Sequence, residues 1–254
     1  MTELKALIFD VDGTLANTEE FHRQAFNKAF SEYNLDWNWS VETYTKLLKV
    51  TGGQERIRHY IDNYLHDVDT QALYKMVPDL HQYKNSHYQS LAKAKQMPLR
   101  RGVERIINEA KEKGMILAIA TTTSATNVSG LINATLGEQA MEWFAVIGDG
   151  NKIPTKKPAP DVYEYVLEEL GLTAQQCIAL EDSQNGVKAA TQIGIPTIIT
   201  LNNYTKEDNF DGAAIILDSF GEPTQPCQKI SGDVSVEGYV DIDTIKRIHN
   251  NAVN

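Results

Sequence analysis

Leu4-Lys5-Ala6-Leu7-Ile8-Phe9-Asp10-Val11-Asp12-Gly13-Thr14-Leu15 is an apolar run that stops on two carboxylates one residue apart. The run over residues 4–9 predicts a buried parallel strand, because a strand covered on both faces reads as continuous apolar sequence. Comparable runs recur at residues 116–120, 144–147, 177–180 and 197–200, with a sixth at 213–217. Helical patterns lie between most of them, at 103–112, 125–136, 161–170 and 185–193. Gly114, Gly171 and Gly194 follow the last turns, where a residue with positive φ is wanted. This alternation predicts an α/β fold with a Rossmann-like parallel sheet covered by helices on both faces.

One region breaks the alternation. Between about Thr18 and Ala94 only helical stripes occur: Phe21, Ala25, Phe26, Ala29, Phe30 and Tyr33; then Ile57, Ile61, Tyr64 and Leu65; then Leu80, Tyr83, His87, Tyr88 and Leu91. The expected organisation is a core domain from residues 1–16 and 96–254, with an inserted helical cap domain at 17–95. Such a cap would cover the carboxyl ends of the strands, where open α/β sheets bind ligands. After Leu217 the pattern thins: Glu222-Pro223 and Gln225-Pro226 mark loop, and residues 242–248 read as a short closing helix.

The totals set further bounds. The chain has 254 residues and a net charge of −10, from 24 basic and 34 acidic side chains. That balance argues against broad binding to nucleic acid or anionic membrane, while leaving room for a small phosphorylated ligand held by local cations. Cys177 and Cys227 are far apart with no metal-type spacing, which fits a reducing compartment. Met1-Thr2-Glu3-Leu4-Lys5 lacks the form of a secretory signal, and no apolar run nears the ~20 residues that cross a bilayer. A soluble cytoplasmic protein is expected, or a stromal one if a plant plastid is the source, with a monomer as the expected state.

The chemistry concentrates at strand ends. Asp10 and Asp12 leave the first strand together, and Gly13 supplies a turn that aims both at one point. Phosphoryl transfer needs a nucleophile and a proton donor on roughly opposite sides of phosphorus, so the pair suits that reaction. Asp10-Val11-Asp12-Gly13-Thr14-Leu15 resembles the first motif of the haloacid dehalogenase superfamily, in its phosphatase branch. Three further stretches match the family's order. Thr121, followed by Thr122, ends the second core strand, where the family places a hydroxyl that holds a phosphate oxygen. Lys157, in Thr155-Lys156-Lys157-Pro158-Ala159-Pro160-Asp161, offsets the negative charge of the site, with Lys156 the less favoured neighbour. Glu181-Asp182-Ser183 ends the fourth motif. The resemblance implies a magnesium ion held by Asp10, the carbonyl of Asp12 and Asp182, with Glu181 binding through water or orienting the site. It implies that Asp10 attacks phosphorus and that Asp12 moves the protons.

The cap carries the substrate reading. Thr18 is placed to cap the first helix, with Glu19 and Glu20 favourably near its amino end. Beyond that role, Glu19 is a candidate for substrate hydroxyls and His22 for the leaving oxygen. Thr51-Gly52-Gly53-Gln54-Glu55-Arg56 offers exposed backbone N–H groups at Gly53 and a planar cation at Arg56, a cradle for a phosphate that is not cleaved. Tyr44 and Lys84 are further candidate contacts. This stretch is similar to the CbbY-type sugar-bisphosphate phosphatases, whose implied substrate is xylulose 1,5-bisphosphate. Gln54 stands where that group is expected to carry lysine. A phosphosugar mutase of the beta-phosphoglucomutase type is the enzymatic alternative, Thr14 leaning toward phosphatase, and a non-catalytic sensor of sugar phosphate is a third reading.

Overall fold

The computed structural model describes residues 2–94 and 97–253. Seven strands form one sheet: β1 (Ala6–Phe9), β2 (Ile116–Ala120), β3 (Phe144–Gly148), β4 (Cys177–Glu181), β5 (Thr197–Thr200), β6 (Ile215–Leu217) and β7 (Lys229–Gly232). Their spatial order is β3-β2-β1-β4-β5-β6-β7, parallel from β3 to β6, with β7 antiparallel to β6. Side chains alternate between two buried layers, as the pleat requires. Leu7, Phe9, Leu117, Ile119, Ile178 and Leu180 pack on one face with helices α5 (Val103–Glu112), α6 (Ala125–Thr135) and α9 (Ile242–Val253). Ala6, Ile8, Ala118, Ala120 and Ala179 pack on the other with α7 (Asp161–Leu170) and α8 (Gln184–Thr191). The small alanines on this second face let α7 approach closely, which carries Tyr163 to the strand ends.

The region between β1 and α5 holds α1 (Glu19–Glu32), α2 (Val41–Leu47), α3 (Gly53–Tyr64) and α4 (Thr70–Lys93). These helices bury a layer of their own, with Phe26, Phe30, Trp39, Tyr44, Ile57, Ile61, Val77 and Leu80 at its centre. The expected boundary at residues 95/96 lies outside the described residues. On either side of the helical block the two crossing segments are stitched together. Ala16 bridges Leu99, the Arg100 N–H donates to the Leu15 carbonyl at 2.8 Å, and the Arg100 guanidinium donates to the carbonyls of Gly13, Thr200, Leu201 and Asp218.

Three features depart from expectation. The seven-residue α2 has too few turns to show a period, yet Ser40 caps it by accepting from the Thr43 N–H, and Tyr44 and Leu47 are buried. Residues 222–226 form a turn as expected, but β7 follows at Lys229–Gly232, where the sequence marks no strand, because its residues face solvent almost throughout and carry no apolar signature. The closing helix runs to Val253, five residues past the expected end at 248.

Candidate active site

The strand order makes the site. The chain runs from β1 outward to β2 and β3, then returns to place β4 on the other side of β1, so the connections diverge at β1 and β4. Phe9 pairs with Ile119 on β2 and with Leu180 on β4. The next residues on the three strands, Asp10, Ala120 and Glu181, are therefore level, and Thr121 and Asp182 follow one step on. Gly13 turns the chain back with φ +85°, and a Cβ there would run into the carboxylates of Asp182 and Glu19. Glycine is required at this position on both counts.

Lys157 sits at the centre. Its ammonium donates to Asp10 Oδ1 at 2.7 Å, to Glu181 Oε1 at 2.5 Å and to the Ala120 carbonyl at 2.8 Å. That uses all three of its protons. Burial would lower its pKa, but the charges of Asp10 and Glu181 raise it above the ordinary lysine range. The Tyr163 hydroxyl also donates to Glu181 Oε1, at 2.6 Å, and the Asp182 N–H donates to Oε2 at 3.3 Å. Glu181 is thus engaged on both oxygens, and it lies behind the other acids with no exposure.

Burial raises Asp10 well above the usual carboxylate range, with the Glu181 and Asp12 charges adding and Lys157 opposing. Asp182 is raised for the same first reason and by the charges of Glu19, Asp10 and Glu181. One carboxylate oxygen from each of Asp10, Glu181 and Asp182 lies within 4.8 Å of the others. Hard oxygen donors with excess buried negative charge fit a magnesium ion. Since Glu181 is taken by Lys157 and Tyr163, Asp10 and Asp182 are the better-disposed carboxylates.

A second relay begins at Asp12. Its Oδ1 accepts from the Thr18 hydroxyl at 2.5 Å and lies 3.0 Å from His22 Nε2, while Lys84 Nζ stands 2.7 Å from His22 Nδ1. An ionised carboxylate only accepts, so the ring proton sits on Nε2, facing Asp12, and Nδ1 is left to accept from Lys84. Burial and the nearby Lys84 charge push His22 down to about 4, and burial pushes Lys84 down to about 7. Burial would raise Asp12, but the His22 and Thr18 contacts outweigh it and hold this carboxylate below its usual range. Tyr88 stacks on the imidazole at 4.1 Å and 10°. The expected cap is corrected here: Thr18 makes no side-chain bond to the α1 backbone, because its hydroxyl is turned to Asp12.

These groups open on a cavity of about 670 Å³ between the sheet and the helical block. Asp10, Asp12, Glu19, His22, Tyr44, Gly53, Arg56, Lys84, Thr121, Thr122, Lys157 and Asp182 all line it, and only Glu181 of the sequence candidates does not. Glu19 is buried, and burial raises its pKa to about 7. Arg56 donates to the Leu47 and Val50 carbonyls at 3.2 and 3.1 Å and to the Tyr44 hydroxyl at 3.0 Å. It therefore organises the turn into α3 and keeps two of its five N–H groups for the cavity. Lys49, Lys156 and His81 also line the cavity, His81 lying against Gly53.

Sequence reasoning did not single out Tyr163, His81, Asn202 or Tyr204. Tyr163 reads as one more apolar residue of α7, and the other three lie in polar stretches without a motif.

The strand order and the acid–lysine centre at the carboxyl edge define the class, a hydrolase built on a Rossmann-like core of parallel sheet and helices. The chain belongs to the haloacid dehalogenase-like hydrolases, whose family model matches residues 7–200. It is an enzyme, a phosphoric monoester hydrolase. It is 44% identical over 252 residues to protein CbbY, plasmid, of Cupriavidus necator, covering 97% of each chain. A crystal structure of a mutant of CbbY from Rhodobacter sphaeroides in complex with xylulose-(1,5)bisphosphate is 41% identical, with a TM-score of 0.81 over 87% of this chain and 96% of that one. A beta-phosphoglucomutase structure from Clostridium difficile, 19% identical with a TM-score of 0.73 over 98% of this chain and 99% of that one, shares the fold.

Proposed function

We propose that this chain is a magnesium-dependent phosphatase that removes one phosphate from xylulose 1,5-bisphosphate through an aspartyl-phosphate on Asp10. The observation that carries it is the pairing of Asp10, clamped by Lys157 beside Asp182, with Asp12 on the wall of the same cavity. Lys157 engages Oδ1 of Asp10 and leaves Oδ2 to attack phosphorus. Thr18 and His22 engage Oδ1 of Asp12 and leave Oδ2 free. Oδ2 would take up a proton once the charge of the bound phosphates raises this carboxyl from its low resting value, give it to the leaving oxygen, and then take one from the attacking water. Lys84, through His22, can adjust the readiness of Asp12 to carry that proton. Thr121 holds a phosphoryl oxygen, and the charge of Lys157 offsets the negative charge gathered there. Asp10, the carbonyl of Asp12 and Asp182 would hold magnesium, which neutralises the charge that otherwise repels a carboxylate from a phosphate.

Residues 17–95 act as the cap domain. Their Lys49, Arg56 and Lys84 and the backbone N–H at Gly53 give the cavity cationic and donor groups besides Lys157, which suits a substrate with two phosphates. Tyr44 and Glu19 are placed on the wall for the sugar between them. The bisphosphate held by the Rhodobacter sphaeroides relative supports this choice.

The test is phosphate release, with and without magnesium, from xylulose 1,5-bisphosphate, ribulose 1,5-bisphosphate, fructose 1,6-bisphosphate and glucose 1-phosphate. Magnesium-dependent release with strong preference for the first is expected. Release from none of them, with interconversion of hexose phosphates, would assign the chain to the mutases instead.

A further inference from the structure

Asp182 and Glu19 lie side by side against Gly13, and a single amide stands between them. Asn202 Nδ2 donates to Asp182 Oδ2 at 2.7 Å and to Glu19 Oε1 at 3.2 Å. Its Oδ1 accepts from the backbone N–H groups of Tyr204 and Thr205, at 2.8 and 3.1 Å. Only the amide oxygen can accept those two bonds, so the NH₂ group must face the carboxylates. The orientation of Asn202 is fixed by its own loop.

That loop, which follows β5, grips both halves of the molecule. On the sheet side, Arg100 donates to the Leu201 carbonyl at 2.5 Å. On the helical side, the Tyr204 hydroxyl donates to Glu20 Oε2 at 2.5 Å, and its ring stands edge-on to Tyr44 at 5.9 Å. Asn202 is thereby held at the seam between α1 and the end of β4. Each carboxylate spends one oxygen on it and keeps the other. Glu19 Oε2 is buried with no partner, on a residue that lines the cavity. The second oxygen of Asp182 remains for the acid cluster with Asp10.

We propose that Asn202 is a positioning residue for the phosphatase reaction, whose amide assigns Asp182 to the cation and Glu19 to a hydroxyl of the sugar. The inference rests on the function proposed above. Two carboxylates at such close quarters disturb each other's alignment, and a shared donor gives one oxygen of each a fixed partner. Cation binding and sugar recognition become linked through one side chain.

The test measures Mn²⁺ binding to the resting protein by electron paramagnetic resonance, together with KM and kcat for xylulose 1,5-bisphosphate. Asn202→Ala is expected to weaken Mn²⁺ about tenfold and to raise KM by a similar factor, the size of one charge-assisted hydrogen bond. Tyr204→Phe loosens the same loop without touching the amide, and it should leave Mn²⁺ affinity within about twofold. Asn202→Asp keeps the side chain's shape and replaces the donor, so it should raise KM even where the alanine variant fails to fold. The proposal is overturned if Asn202→Ala or Asn202→Asp matches the wild type in both quantities, or if Tyr204→Phe loses Mn²⁺ as far as Asn202→Ala does. A wild-type protein that binds no Mn²⁺ would instead sink the magnesium reading beneath it, which keeps the two failures apart.

Discussion

Replacing Lys157 with methionine isolates the electrostatics at the centre of the site. Methionine fills most of the volume of the lysine stem, so little cavity forms. What is lost is a charge making three hydrogen bonds, among Lys157 at 4%, Asp10 at 7% and Glu181 at 0% exposure. Removing one partner of a buried ion pair costs about 3–5 kcal/mol, because the charge left behind is unpaired. Here two carboxylates are left facing each other. At about 2–4 °C of melting temperature per kcal/mol for a chain of this size, the fall is about 6–20 °C. Its pH dependence follows from Asp10, whose folded pKa is already raised by burial even with Lys157 present. Without Lys157 it rises further. A carboxyl with a raised folded pKa costs nothing below its unfolded pKa, and its cost grows as pH climbs from there through the folded value. The difference between wild type and Lys157→Met should therefore be larger at about pH 8 than at about pH 5. Thermal and urea unfolding of both proteins at the two pH values measure it. A variant within about 1 kcal/mol of wild type at both would refute the account of Lys157 as an obligatory counter-charge.

Tyr163→Phe removes only the hydroxyl that steadies Glu181; the expected loss is about 1–2 kcal/mol in urea unfolding, with kcat reduced and KM little changed. Gly13→Ala combines a strained φ with a methyl group driven into Asp182 and Glu19, so steady-state assays should find it inactive, and Mn²⁺ titration should show weakened binding. Cys177 is buried on β4, and burial pushes its thiol up to about 12, so a thiol reagent at neutral pH should leave it unmodified until denaturant is added. Rapid labelling of Cys177 in the native protein, read by peptide mass, would contradict that burial.

The residues that could be read from sequence are those whose position along a strand or helix already says what they face. Asp10, Thr121 and Asp182 each follow a buried apolar run, and strand geometry alone carries them to one edge of the sheet. The helical block was legible because α1, α3 and α4 are long enough to show a 3.6-residue period. α2 is too short for that, and β7 buries too little to alternate. The site's supporting groups were hidden for a different reason. Thr18 looks like a helix cap in sequence, and only the fold shows Asp12 within reach of its hydroxyl. His22 and Lys84 meet across 62 residues, and Asn202 reaches Glu19 across 183. Such pairings depend on how the helical block sits over the sheet, which no local pattern encodes.

The central claim is that phosphate passes through Asp10. The most direct measurement is a rapid acid quench of the protein turning over xylulose 1,5-bisphosphate with magnesium, followed by mass analysis of the peptide containing Asp10. The account predicts one phosphoryl group on that peptide, absent in Asp10→Asn, which should also lose activity by orders of magnitude. Phosphate release that continues in Asp10→Asn at more than about a tenth of the wild-type rate, or turnover with no phosphoryl group ever found on that peptide, would contradict it.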